Sequence, residues 1–205
     1  MSAAHSTYQR RYTVEEYFAF EEQSDTRHEY YHGEIFPLEG PASVEGIAGG
    51  TKQHNRLIQN CAFGLRLGLQ GRSCEIYTEN VRLAIEAGNH YSYPDVMVSC
   101  DPRDDDPRTV QSPALLIEVL SKSTEARDRG WKFVQCQLIP SLQQYVLVSQ
   151  YRILVDSFVR TDHGTWELTS LRQLTDVLII PALRCQLAVG EIYEGISIPP
   201  LRLAD

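Results

Sequence analysis

One carboxylate stands inside the most apolar stretch of this chain, and it constrains the fold more than any other feature. Glu118 lies within residues 115–120, a run that follows Pro113 and otherwise contains only leucine, isoleucine and valine. A run of this kind, opened by a proline, predicts a strand that is buried on both faces of a sheet. A carboxylate ionises there at a high cost in free energy unless a cation or several donors meet it. Glu118 therefore predicts a buried partner or a function.

Local patterns before this strand predict two helices and a hairpin. Residues 13–22 predict a short helix with a capping box formed by Thr13 and Glu16. Residues 28–40 predict a β-hairpin that turns at His32 and Gly33. Residues 41–50 predict a loop, and residues 51–71 predict an amphipathic helix.

The rest of the chain predicts strands on both sides of one further helix. Strands are expected within residues 74–88, 89–100, 143–150, 151–160 and 165–171. Residues 124–139 predict a helix that turns Trp131, Val134 and Leu138 towards the core. This order indicates an α+β domain with a mixed sheet rather than a regular βαβ array.

Length and composition predict one ordinary globular domain over residues 1–205, with a core of about residues 10–195. No apolar run approaches the roughly 20 residues that cross a bilayer, so no membrane is expected. The N-terminal segment lacks the apolar centre of a signal peptide, which favours the cytoplasm. The five cysteines are odd in number, widely spaced and without a CxxC pair. This spacing predicts reduced thiols rather than a disulfide framework or a zinc site.

The net charge of −8 argues against a general attraction to nucleic acid. A nucleic-acid-binding protein with this composition needs a local basic surface or a bound metal ion. The acidic loop over residues 101–109 is expected to be a solvated surface segment and predicts no site.

Three charged residues are expected to converge around the apolar strand. Asp95 follows Pro94 at the start of the preceding strand, Glu118 lies within the apolar strand, and Lys132 lies on the next helix, one turn beyond Asp128. Two carboxylates on neighbouring strands can share a divalent cation such as Mg²⁺, which acidifies a bound water. A lysine beside them can steady charge on a phosphoryl oxygen. From the residues alone, a surface ion pair between Asp128 and Lys132 is the plain alternative.

Longer strings around these residues resemble the Uma2 family of proposed endonucleases, also called DUF820. The resemblance is carried by YPDVMVSC at residues 93–100, SPALLIEVLSKSTEARDRGWKF at residues 112–133 and IPSLQQYVLVSQ at residues 139–150. It extends back to residues 28–40 and forward to the C-terminal tail, so it covers nearly the whole chain.

This resemblance implies the PD-(D/E)XK nuclease superfamily, with a restriction endonuclease-like core of order αβββαβ. The hairpin and the C-terminal strands would be additions to that core. Pro94 and Asp95 match the PD element, and Glu118 matches the acidic residue of (D/E)XK. Leu120 stands where the motif has its lysine, and the resemblance places that lysine on the following helix, as Lys132. Asp95, Glu118 and the Val119 carbonyl are then expected to hold Mg²⁺, with Mn²⁺ as an alternative.

The resemblance also implies further residues around this site. Glu34 and His54 match recurrent family positions that could line it, although Glu34 is otherwise simply a surface charge of the hairpin. A local positive rim is expected to bind DNA, with RNA as an alternative substrate, and a homodimer is compatible with this fold. The rim residues are Lys52, Arg56, Lys122, Arg127 and Arg129.

Two other interpretations remain open on the sequence. A catalytically silent module on the same fold could bind a protein or nucleic acid, which the net charge and the displaced lysine favour. A purely structural Glu118 would be held by a buried arginine or by backbone donors.

Overall fold

The two longer helices begin where their caps predict. In a computed structural model, which describes residues 10–38 and 51–198, α1 spans Val14–Gln23 and α2 spans Lys52–Gly68. Thr13 and Glu16 form both halves of the capping box of α1. Thr51 caps α2 by accepting a hydrogen bond from the backbone N–H of His54 at 3.0 Å. The loop predicted for residues 41–50 lies outside the described residues.

Short strands and short helical pieces make up the rest of the described chain. The strands are β1 His28–Tyr31, β2 Glu34–Pro37, β3 Glu75–Thr78, β4 Arg82–Ile85, β5 His90–Ser92, β6 Val96–Ser99, β7 Thr109–Val110, β8 Pro113–Leu120, β9 Gln144–Ser149, β10 Val155–Arg160, β11 Trp166–Leu171, β12 Val177–Ile180 and β13 Cys185–Ala188. The other helices are α3 Glu125–Arg127, α4 Phe133–Cys136 and α5 Val189–Ile192, with 3₁₀ turns at Glu86–Gly88 and Pro181–Leu183. A π-helical turn, Asp128–Lys132, joins α3 to α4. Among the described residues, none of these helices has the length and apolar character needed to cross a membrane.

The strands assemble into three sheets, which confirms the mixed α+β fold. A six-stranded sheet has the order β11-β10-β9-β8-β6-β3, and a five-stranded sheet has the order β2-β1-β5-β4-β7. Strands β12 and β13 form a separate pair. The two predicted strands within residues 74–100 are in fact four, shared between the two larger sheets.

Strand β8 lies inside the six-stranded sheet and is buried on both faces, as its composition predicts. It runs antiparallel to β6 and parallel to β9. Leu115, Ile117 and Val119 pack on the side of α2, β12, β13 and α5. Leu116 and Leu120 pack on the opposite side, in the same cluster as residues of α4. Because side chains alternate along a strand, Glu118 faces the segment from α3 to α4.

The prediction of which side chains in residues 124–139 face the core is wrong. Trp131, Val134 and Leu138 are 38%, 55% and 52% exposed, whereas Lys132 is only 4% exposed. The apolar residues that do reach the core are Phe133, Cys136 and Ile139. A π-helical turn has a wider period than the α-helical repeat assumed in the prediction, so it shifts the buried face. The π-helical turn directs Lys132 inward, where it meets Glu118.

The prediction that all cysteines are reduced is also wrong, because a disulfide joins Cys74 to Cys100. The antiparallel register pairs Glu75 with Ser99, so the next residue on each side is a cysteine and the two face each other. The cysteines are 26 residues apart in sequence, and only the pairing of β3 with β6 brings them together. The three free cysteines are Cys61, Cys136 and Cys185.

We expect the Cys74→Ser/Cys100→Ser variant to lose about 2–4 kcal/mol of unfolding free energy, because its unfolded chain is no longer cross-linked. Urea unfolding under non-reducing conditions measures this loss. Cys185→Ser is the matched control and should unfold almost as the wild type does. Thiol titration of the denatured, unreduced protein should find three free thiols. A count of five would contradict the disulfide.

A buried histidine lies in the five-stranded sheet beside the π-helical turn. His90 is 0% exposed, and its ring packs 5.3 Å from the Tyr31 ring and 5.1 Å from the Trp131 ring, between centroids. Within the described part of the chain, neither ring nitrogen has a hydrogen-bond partner. Burial, together with the charges of Lys132 and His32, lowers the pKa of His90 to about 4. His90 is therefore neutral at pH 7.

We expect His90→Phe to raise the unfolding free energy by about 1–3 kcal/mol at pH 7, because it removes buried polar atoms without partners. The gain should widen from pH 7 to pH 5. Below its ordinary pKa of about 6.5, His90 takes up a proton in the unfolded chain and not in the folded one, which destabilises the wild type as the pH falls. Urea unfolding at several pH values measures both effects. His163→Gln, at an exposed turn, is the control, and parallel profiles for His90→Phe and the wild type would refute the effect.

Candidate active site

The two predicted carboxylates lie at the same end of neighbouring strands. The register pairs Val96 of β6 with Ile117 of β8, so one residue further along the two chains Asp95 stands opposite Glu118. The Asp95 carboxylate Oδ2 accepts a hydrogen bond from the backbone N–H of Val119 at 2.6 Å. This side chain therefore continues the pairing of β8 beyond the point where β6 begins, and it is held in place by the strand.

Glu118 meets Lys132 inside the protein. The ammonium Nζ of Lys132 lies 2.7 Å from Glu118 Oε1, and the two side chains are 5% and 4% exposed. The contact is an ion pair without hydrogen-bond alignment, since Oε1 has no hydrogen-bond partner among the described residues. Burial raises the pKa of Glu118 above its ordinary value, with the charges of Asp95 and Asp128 adding to the rise and Lys132 opposing it. Burial lowers the pKa of Lys132, but Glu118 and Asp128 outweigh it, and the net direction is upward.

His54 joins this site from the first turn of α2. Its Nε2 lies 3.3 Å from Asp95 Oδ1, and the two side chains are 17% and 19% exposed. Burial works against a charged His54, but the contact with Asp95 prevails, so the pKa of His54 is raised. The cap at Thr51 fixes the backbone of His54, and the structure thus brings together Asp95, Glu118, Lys132 and His54.

Glu34 is placed differently. It is half-buried and begins β2, the strand at the edge of the five-stranded sheet, where it pairs with Tyr31. In residues 10–38 and 51–198, no hydrogen bond or ion pair links its carboxylate to the four residues of the site. Its position in the hairpin agrees with the interpretation of Glu34 as a hairpin charge.

The five rim residues divide into two groups. Lys52, Arg56 and Lys122 are exposed. Arg127 forms an ion pair with the buried Glu29. Arg129 forms ion pairs with Glu125 at 2.9 Å and Asp156 at 2.6 Å. The charges of these two arginines are therefore compensated within the protein, whereas the first three residues face solvent.

Sequence reasoning missed two buried carboxylates near the site. Asp128 is only 5% exposed, although its spacing from Lys132 suggests a surface ion pair. Glu29 is 2% exposed and accepts a hydrogen bond from Ser92 Oγ at 2.8 Å in addition to its contact with Arg127. For Asp128 a signal exists, since a lysine that meets a buried glutamate draws its own helical turn inward. No local pattern identifies Glu29.

The chemistry of the donor set suits a hard cation that keeps several waters. Within the described ranges, no group of three or more histidine, cysteine, aspartate or glutamate side chains is arranged to hold a metal ion. Mg²⁺, however, is usually held by one or two carboxylates together with waters. Asp95 and Glu118 supply two such carboxylates, and the buried Oε1 of Glu118 has no hydrogen bond. The two carboxylates therefore suit a divalent cation in this partly hydrated form.

Two carboxylates at the ends of neighbouring strands of a mixed sheet, with a lysine from the next helix, resemble the arrangement expected of the restriction endonuclease-like class. The chain belongs to the Uma2 family, whose profile, described as "Putative restriction endonuclease", matches residues 14–190. Two proteins of Synechocystis sp. (strain ATCC 27184 / PCC 6803 / Kazusa) are similar over most of their length. The uncharacterized protein slr1290 is 35% identical over 184 residues, which cover 89% of this chain and 92% of that protein. The uncharacterized protein sll1609 is 36% identical over 162 residues, which cover 78% and 86%.

The fold is shared with a solved structure. The crystal structure of a "putative nuclease belonging to DUF820" from Anabaena variabilis superposes with a TM-score of 0.68 at 15% sequence identity. The match covers 89% of this chain and 98% of that one. Family and fold together indicate a restriction endonuclease-like nuclease.

We expect Lys132→Met to lose about 3–5 kcal/mol of unfolding free energy at pH 7, because the variant leaves a buried carboxyl without its cation. Urea unfolding at pH 7 measures this loss. A second change, Glu118→Gln, should recover part of the loss, and the exposed Lys122→Met is the control. Equal stability of Lys132→Met and Lys122→Met would rule out the pair.

Proposed function

We propose that this protein is a Mg²⁺-dependent endodeoxyribonuclease that hydrolyses phosphodiester bonds of DNA. The observation that carries the proposal is the placement of Glu118, a buried carboxylate that faces Asp95 on one side and the Lys132 ammonium on the other. A structural role alone would be served by an apolar residue of similar volume, since a buried ion pair is seldom more stable than such a replacement. The Uma2 assignment and the shared fold support a nuclease.

The carboxylates of Asp95 and Glu118, with the Val119 carbonyl, would hold Mg²⁺, and Mn²⁺ would suit the same oxygen donors. When bound, the ion supplies a water of lowered pKa and neutralises negative charge on the scissile phosphate. The backbone N–H of Val119 and the ring of His54 orient the Asp95 carboxylate for this role.

Lys132 supplies the second part of the chemistry. Its ammonium is fixed within the protein interior, where a charge acts more strongly on a reacting group than it does in water. We assign it to orient the attacking water or to stabilise charge that develops on a phosphoryl oxygen. The motif's usual lysine position is occupied by Leu120, which is buried in the apolar cluster on the same face of β8.

Lys52, Arg56 and Lys122 are the rim residues that can meet a phosphate backbone, because they are exposed. Because the protein as a whole carries a net charge of −8, which opposes DNA, binding through these residues should weaken steeply as salt rises. RNA is the alternative substrate. A homodimer through the C-terminal strands is part of the same proposal, since Leu168, Val177 and Ile179 are exposed there.

A catalytically silent binding module is the second candidate. The ion pair between Glu118 and Lys132 favours it, because it occupies both side chains with each other. Isothermal titration calorimetry with Mg²⁺ and Mn²⁺ separates the two, since a silent module has no requirement for either ion.

We expect wild type to cut plasmid DNA with Mg²⁺ and to stop when EDTA is added. Glu118→Gln and Asp95→Asn should each reduce the rate by about 100-fold or more, the scale for groups that act on transition-state charge. Plasmid, single-stranded DNA and RNA should be tested in parallel, with circular dichroism as the check on folding. Glu167→Gln, an exposed strand residue, is the matched control. Undiminished cleavage by both site variants would remove these residues from the mechanism, and cleavage of RNA alone would change the substrate.

A further inference from the structure

Asp128 is a buried carboxylate that nothing in the proposed chemistry uses. It is 5% exposed, and among the described residues its carboxylate takes part in no ion pair or hydrogen bond. Its backbone N–H and carbonyl, in contrast, are both hydrogen-bonded. The N–H donates to the Thr124 carbonyl at 2.9 Å, and the carbonyl accepts from the Tyr145 hydroxyl at 3.1 Å. These two hydrogen bonds thus fix the backbone of a largely buried carboxylate.

The π-helical turn directs this carboxylate to the site. Asp128 and Lys132 begin and end that turn, one turn apart on a shared face, and both are buried. Arg129 points away from them and reaches Asp156. The neighbouring cation Arg127 is already engaged with Glu29. The charge of Asp128 raises the pKa of Lys132, of Glu118 and of His54, which agrees with a carboxylate close to all three.

Lys132 needs a second anion if it is to do more than neutralise Glu118. An ammonium has three donors, and the contact with Glu118 at 2.7 Å engages it from one side. When Glu118 becomes a ligand of a cation, a buried ammonium with no other anion would be expelled or deprotonated. Asp128 is the carboxylate on the same helical face as Lys132 that has no partner of its own within the described residues.

We infer that Asp128 is a positioning residue, which holds the Lys132 ammonium inside the site when Glu118 is no longer its partner. The use of Lys132 in catalysis rests on the proposed function, but the placement of Asp128 and Lys132 on one buried face of the π-helical turn does not. Asp128 therefore acts on the reaction through Lys132 and touches neither substrate nor metal.

The first test needs neither metal nor activity. The chain has three lysines, and two of them, Lys52 and Lys122, are exposed. In ¹⁵N-lysine NMR, exposed ammonium groups exchange rapidly with water, so a side-chain signal near neutral pH should come from Lys132 alone. Lys132→Arg confirms that origin by removing the signal. Glu118→Gln mimics a glutamate whose charge is taken up elsewhere.

We expect the Lys132 signal to survive in Glu118→Gln and in Asp128→Asn, since each variant leaves one anion in place. The signal should disappear in the double variant Glu118→Gln/Asp128→Asn. Loss of the signal in Glu118→Gln alone would overturn the inference, and so would its survival in the double variant. Because Glu118→Gln retains Asp128, this arm remains decisive even if Asp128→Asn folds poorly.

The second test uses plasmid cleavage. Asp128→Asn should lower kcat by about 10-fold or more, the scale for loss of a partner that orients a functional group, with KM and Mg²⁺ affinity little changed. Asp128→Glu should recover part of the rate. In a Lys132→Met background, Asp128→Asn should have no further effect, because two residues that act as a unit are not additive. Full additivity would show that Asp128 acts independently of Lys132. A wild type without cleavage would refute the nuclease proposal and leave the NMR result to decide on Asp128.

Discussion

The buried ion pair between Glu118 and Lys132 is the constraint on which the rest of the structure depends. A charge within a central strand needs a counter-charge at bonding distance, and here it comes from the segment that follows the strand. That segment must turn a charged face inward, and it does so through a π-helical turn. Trp131 and Val134 are exposed as a consequence. The π-helical turn thus follows from the electrostatics of β8.

What the sequence predicts well is local. The cap of α1, the hairpin turn at His32 and the double-sided burial of β8 each depend on residues next to one another, so their patterns are visible without the fold. The errors have non-local causes. The Cys74–Cys100 disulfide depends on the register between β3 and β6, which are separated by two strands of the other large sheet. The core-facing side of residues 124–139 was predicted wrongly because it depends on a charge in another element.

The residues of the candidate site also divide into those that the sequence predicts and those that it misses. Asp95 and Glu118 were predictable from their positions on strands, because antiparallel neighbours bring such residues together at one end. Lys132 was expected beside them from its place on the next helix, and only the resemblance to a family identifies it with the motif's lysine, since Leu120 occupies the usual position. Asp128 was missed because a charged pair on a helix is usually solvated, and only the burial of Lys132 shows otherwise.

The distribution of charge explains how an acidic protein could still act on a phosphodiester. Asp95 and Asp128 add two further carboxyl groups to the pair of Glu118 and Lys132, and their charges contribute to the raised pKa of Glu118. A site with this excess of negative charge attracts a divalent cation and repels a phosphate until the cation has bound. Order of binding would then be set by electrostatics, with the metal first and the nucleic acid second. Under this scheme, the net charge of −8 does not contradict a nuclease, because the attraction for phosphate is supplied locally by the ion, Lys132 and the exposed basic residues.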